Sequence, residues 1–113
     1  LNLAFSSREL RTLCKSQTVA ERAYGVVVAR ELRGRLADIR EAGSVLELLA
    51  GHPREVSDGR HRCYEVSLPE AYRLLICANH DPLPFQGGTG RIDWSRVSRV
   101  RIASIDKVEG QDG

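Results

Sequence analysis

Two runs rich in β-formers, residues 61–68 and 72–79, stand on either side of Pro69-Glu70-Ala71, and no other stretch limits the fold as tightly. A strand, turn residues and a second strand form the sequence signature of a β-hairpin. The length of the connection decides which side chains share a face. If Leu68 pairs with Tyr72 across a three-residue loop, alternation places Tyr64, Val66, Leu68, Tyr72, Leu74 and Ile76 together as a core face. His61, Cys63, Glu65, Ser67, Arg73, Leu75 and Cys77 then occupy the other face. A two-residue turn would shift the pairing by one and mix polar with apolar on both faces, so the longer loop is expected. Arg73 is the exception in the strand YRLLIC. A cation among apolar neighbours needs a buried acidic partner, for which Glu65 and Asp106 are available, or an anionic ligand to offset its desolvation.

Upstream of the hairpin, LNLAF over residues 1–5 alternates as a short strand and is expected to join the sheet. Ser6-Ser7-Arg8-Glu9 has the form of a capping box and predicts a helix to about Lys15. The form recurs at Thr18-Val19-Ala20-Glu21, opening one long helix whose apolar positions Ala20, Tyr24, Val28, Leu32, Leu36 and Ile39 keep helical spacing. Gly43 is placed to end it in a left-handed cap, and Ser44-Val45-Leu46-Glu47 starts a third, short helix closed by Gly51 and Pro53. Residues 51–59 and 81–90 read as loops, and VSRVRIASIDK over residues 97–107 as a final strand. The order implies an α+β fold, an N-terminal strand and helical hairpin packed on a mostly antiparallel small sheet, as one domain over residues 1–113.

Hydrophobic residues at 42% and charged residues at 28% are globular values, and no apolar run approaches the roughly 20 residues that span a bilayer. No secretory leader opens the sequence, so a soluble cytoplasmic protein is expected. A net charge of +2 says little about partners. The kind of cation says more: apart from Lys15 and Lys107 every basic residue is Arg, whose planar fork suits phosphate. The three cysteines, Cys14, Cys63 and Cys77, have no CxxC spacing, which predicts reduced core thiols rather than a disulfide or zinc site. His52, His61 and His80 add no ligand-pair spacing, so no metal and no other cofactor is expected.

RHRCYEVSLPEAYRLLIC followed by DWSRVSRVRIASID resembles the RelE/HigB superfamily of bacterial toxins, and Tyr72-Arg73-Leu74-Leu75-Ile76 is the most specific match. The resemblance covers nearly the whole chain in element order. It implies a compact α+β toxin of a type II toxin–antitoxin system that cleaves messenger RNA at the ribosomal A site. The implied partners are the ribosome, messenger RNA and a cognate HigA-like helix-turn-helix antitoxin, with no membrane. By position Arg60 stands in the basic segment before the hairpin, Arg73 at the strand arginine and Asp106 at the acidic residue closing the last strand. Where HigB-like chains continue from that residue into Tyr-His, this one reads Asp106-Lys107-Val108-Glu109.

Metal-free cleavage of RNA builds negative charge on the phosphoryl oxygens and needs a proton acceptor and a donor. Arg73, with Arg60 and Arg101, is the expected clamp for that charge. His61 is the first candidate for proton transfer, because an imidazole titrates near neutrality; Asp106 would orient an arginine or the base. Arg62, Arg99, Arg101 and Lys107 are expected to position phosphates. Trp94 either stacks on a base or anchors the core. Two other readings stand beside this one: a ParE-like inhibitor of DNA gyrase, and a non-catalytic nucleic-acid-binding component of a toxin–antitoxin system.

Overall fold

The structure is a computed structural model that describes residues 1–57 and 62–108. The chain begins with strand β1 (Asn2–Phe5), then helices α1 (Arg8–Lys15), α2 (Gln17–Tyr24) and α3 (Val26–Glu41). A 3-10 turn at Val45–Glu47 leads to β2 (Arg54–Ser57), β3 (Arg62–Ser67) and β4 (Tyr72–Ala78), and a second at Trp94–Arg96 leads to β5 (Arg99–Lys107). Among the described residues these strands make one five-stranded sheet in the order β1-β5-β4-β3-β2. β1 runs parallel to β5 and every other neighbouring pair is antiparallel, so the architecture is α+β as expected.

The hairpin has the register its turn implies. Leu68 N donates to Tyr72 O (2.9 Å), and the ladder runs from Ser67 opposite Arg73 to Cys63 opposite Cys77. Glu70 and Ala71 take positive φ (60° and 64°) to close the loop. Val66, Leu68, Leu74 and Ile76 on the core face are buried against Val28, Leu32, Leu36 and Ile39 of α3, with Val100 and Ile102 of β5. Helix α3 is therefore the lid of the core, and its opposite side faces outward.

Several expectations change. The long helix breaks at Gly25, whose φ of 91° belongs to the region that favours glycine, giving α2 and α3. The apolar spacing runs through the break because both helices lie on the same core. Ser7 and Ser16, rather than Ser6 and Thr18, cap α1 and α2; the hydroxyls accept from Leu10 N (3.1 Å) and Val19 N (3.3 Å). Helix α3 ends at Glu41 with Ala42 as its C-cap (φ −71°), and Gly43 does not take a positive φ, so it is not a left-handed cap. Ser44 starts only a 3-10 turn.

The stretch taken as a loop contains β2, which pairs with β3. Gly51 makes this approach possible: its carbonyl accepts from Ser67 N (2.7 Å), and a Cβ there would lie 2.6 Å from Val66 Cγ1.

Candidate functional site

The sheet face away from α3 carries the residues singled out for catalysis, and the ladders fix their places. Arg54 sits directly opposite Glu65 across β2 and β3, while Arg73 is opposite Ser67 and so diagonal to Glu65. Glu65, 6% exposed, takes both: Arg73 Nη1 donates to Oε2 (2.7 Å), and Arg54 Nη2 and Nε donate to Oε1 (2.9 and 3.2 Å). Burial by itself pushes the Glu65 carboxyl up, but the hydrogen bonds and charges of Arg73 and Arg54 outweigh it and hold the group below its ordinary value.

Asp106 reaches the same face through a β-bulge. Ile76 pairs with Ile102 but Leu75 with Ser104, so Ala103 is the extra residue. Strict alternation from Ile102 would point Ser104 and Asp106 into the core. The bulge turns them outward and sets Asp106 opposite Arg73. Arg73 Nε and Asp106 Oδ1 are buried without a hydrogen-bond partner among the described residues.

Two guanidiniums and two carboxylates thus meet at this end of the sheet and their charges cancel. A neutral cluster has no excess attraction for a phosphate, and Arg73 has the acidic partner that its apolar setting called for.

Of the other expected site residues that the structure describes, only Lys107, opposite Tyr72, stands at the Arg73 end, and alternation sets it on the other face of the sheet. Arg60 and His61 lie outside the described residues. Arg62 Nε donates to Glu55 Oε2 (3.3 Å) at the far end of β3, five residues or about 17 Å of strand from Ser67. Arg101, opposite Cys77, stands four residues, about 13 Å, along β4 from Arg73, and its Nη1 donates to Ser6 Oγ (2.7 Å). Arg99 is exposed at the start of β5. Lys107 Nζ lies 5.5 Å from the Tyr72 ring centroid, a cation–π contact.

Trp94 is buried, with its ring 4.7 Å from that of Tyr64 and its Nε1 donating to Glu55 Oε2 (3.0 Å), so it anchors the core. His80 Nε2 accepts from the backbone of Ser98 (3.0 Å) and Arg99 (3.2 Å) and is structural.

His52 is the imidazole that sequence reasoning passed over. It follows Gly51, the residue that binds Ser67 N, which places it at the Arg73 end of the sheet, and it is exposed with a positive φ of 49°. Only the pairing of β2 with β3, absent from the sequence reading, brings it there.

The cysteine expectation is also corrected. Cys63 and Cys77 form a disulfide and are buried. They face each other in a non-hydrogen-bonded pair of the antiparallel ladder, with Cα atoms 4.4 Å apart, a separation a disulfide fits. Cys14 is free, and burial pushes its thiol up to about 11. Tyr24 is pushed up to about 12, by burial first and then by Cys14, Tyr72, Asp106 and Glu9 around it. Both therefore keep their protons near neutrality, and neither is a base.

Among the described residues, two grooves lined by cations lie against the helices. Arg30, Arg33 and Arg40 recur along the outward side of α3 and, with Lys15 at the end of α1, line a groove of about 590 Å³ that has no carboxylate in its walls. Arg33 Nη1 donates to Oε1 of Gln17, whose Nε2 donates in turn to Glu21 Oε2 (2.8 Å), so a carboxylate stands one side chain away from this guanidinium. Lys15 also borders a second groove of about 600 Å³, between α1 and β1, where Arg8 and Arg11 join it, again with no carboxylate in the lining. The helical periodicity of Arg30, Arg33 and Arg40 was available in the sequence, but it reads equally as the solvated side of an amphipathic helix. Compared with known protein families, curated proteins and solved structures, the chain finds no match in any of the three.

Proposed function

We propose that this chain is the toxin of a type II toxin–antitoxin system, acting in the cytoplasm on messenger RNA engaged by the ribosome, with a cognate helix-turn-helix antitoxin as its inhibitor. One observation carries the nucleic-acid part of this reading: the α3 groove, lined by Lys15, Arg30, Arg33 and Arg40 with no carboxylate among its described lining residues. Guanidinium forks at helical spacing on an open groove fit a phosphate backbone, and such contacts position a strand without reading its sequence. No aromatic side chain lines this groove, so bases have no stacking platform there and alignment of the substrate falls to the larger assembly.

Chemistry at the Arg73 end would require Glu65 to release Arg73 first, because the cluster as it stands is neutral. Arg73 would then meet a phosphoryl oxygen, with Asp106 opposite it across β4 and β5. The same geometry also favours a second reading. Because Glu65 holds Arg73, a ParE-like inhibitor of DNA gyrase or a non-catalytic nucleic-acid-binding role fits a structure in which this guanidinium stays paired.

Inducing the chain alone in cells and mapping new RNA ends tests the proposal, with plasmid supercoiling followed in parallel. New ends inside translated messages are expected, lost in Arg73→Ala and reduced in Arg30→Glu/Arg33→Glu. Growth arrest with altered supercoiling and no new RNA ends would transfer the reading to gyrase.

A further inference from the structure

Strand β1 is an edge of the sheet: among the described residues its only strand partner is β5. The phase of that parallel ladder is fixed by Asn2 N donating to Ser98 O (2.9 Å) and Ser6 N to Ile102 O (3.0 Å). Alternate residues of a strand turn their N–H and C=O groups to the same side, so Asn2, Ala4 and Ser6 face β5 while Leu3 and Phe5 present theirs to the open side. That open side is one wall of the groove of about 600 Å³ beside β1.

Helix α1 forms the other wall. Its Leu10 and Cys14 pack toward the core, which leaves Arg8, Arg11 and Lys15 along the groove. These cations span about 10 Å of helix rise, close to the roughly 13 Å between side chains i and i+4 of an extended strand. No carboxylate lines the groove, and Arg101 donates to Ser6 Oγ at its end.

We infer that the open edge of β1 receives an extended acidic segment of a partner protein as a sixth strand. The backbone of that segment exchanges hydrogen bonds with Leu3 and Phe5, and its acidic side chains on one face meet Arg8, Arg11 and Lys15. A free row of alternating donors and acceptors is what strand addition uses, and the flanking cations supply the preference for acidic sequence. A row of phosphates fits less well, because phosphates only accept, whereas peptide N–H groups repeat at the strand spacing that the Leu3 and Phe5 carbonyls present. The inference rests on sheet topology and charge, and it stands whether or not the chain cleaves RNA.

The test is a fluorescence-anisotropy titration of the whole chain with a labelled eight-residue peptide alternating Glu and Val. Two further versions of the peptide carry N-methyl groups, one on the Glu amides and the other on the Val amides. In an added strand only one of these sets faces β1. One version is therefore expected to bind about tenfold or more weakly and the other to match the parent. Arg8→Glu/Arg11→Glu, with thermal unfolding as the check on folding, is expected to abolish binding. Equal affinity of the two methylated peptides would overturn strand addition. So would an oligouridylate of equal charge that binds as tightly as the parent peptide, since the groove would then be a phosphate site. Neither result bears on the mapping of RNA ends, so the two proposals fail separately.

Discussion

Replacing Glu65 by Gln removes the anion that Arg54 and Arg73 share and leaves their donors facing an amide that can accept at only one of its two ends. Hydrogen bonds to a charged group contribute about 1.5–3 kcal/mol against about 1 for neutral ones, so the change at Arg73 costs about 1 kcal/mol. Solvent screens the exchange at Arg54, whose side chain is 70% exposed, and reduces its share to a few tenths of a kcal/mol. The amide NH₂ set against a guanidinium adds about 1 more, for a total near 2 kcal/mol.

With an unfolding entropy of about 2.1 cal/mol/K per residue over 113 residues, that is a fall in Tm of about 8 °C. The pH dependence gives a second, independent reading. The folded carboxyl sits below its ordinary value of 4.5, so its stabilisation is complete above that value and is lost as pH falls through the lowered one. Urea unfolding of wild type and Glu65→Gln at a series of pH values should show a gap of about 2 kcal/mol at pH 7 that closes below about pH 4.5. A gap under about 0.5 kcal/mol at pH 7, or one that persists unchanged in acid, would refute the pairing argument. A cycle with Arg73→Met assigns the share that belongs to Arg73.

Two other outcomes follow from the cysteines. The Cys63–Cys77 bridge closes a loop with a sequence separation of 14, so reduction should lower stability by about 3 kcal/mol, read as a drop in Tm with reductant that Cys63→Ala/Cys77→Ala no longer shows. Cys14, with its thiol at about 11, should alkylate slowly with iodoacetamide at pH 8 and speed up as pH rises toward that value, followed by intact mass.

The hairpin was legible because one quantity, the loop length, fixes both its register and its faces. That register already sets Cys63 against Cys77: a ladder that pairs Leu68 with Tyr72 pairs them as well. The cysteine spacing rules hid this, since they are built on metal and redox motifs and not on cross-strand geometry. The break at Gly25 was invisible to periodicity because α2 and α3 present the same apolar side to one core. β2 was missed because Arg54-Glu55-Val56-Ser57 is short and polar, and it is a strand only through the strand it pairs with. The bulge at Ala103 leaves no mark in composition, yet it decides that Asp106 faces Arg73. At the site, the need of Arg73 for either an acidic partner or an anionic ligand was readable from its apolar neighbours; the sequence reading cast it as a phosphate clamp, and the structure pairs it with Glu65. Which of two carboxylates is that partner depended on diagonal placement across the hairpin.

Strand β5 is inserted between β1 and β4, so β1 is tied to the rest of the sheet only through the last stretch of the described chain, and that pairing joins Asn2 to Arg99. During synthesis, therefore, β2, β3 and β4 have one another to pair with, but β1 has no strand to join until residues beyond 99 have left the exit tunnel. A message cut before that codon yields a polypeptide with β1 stranded and the free side of β4 bare, a species prone to clump rather than to linger half-active.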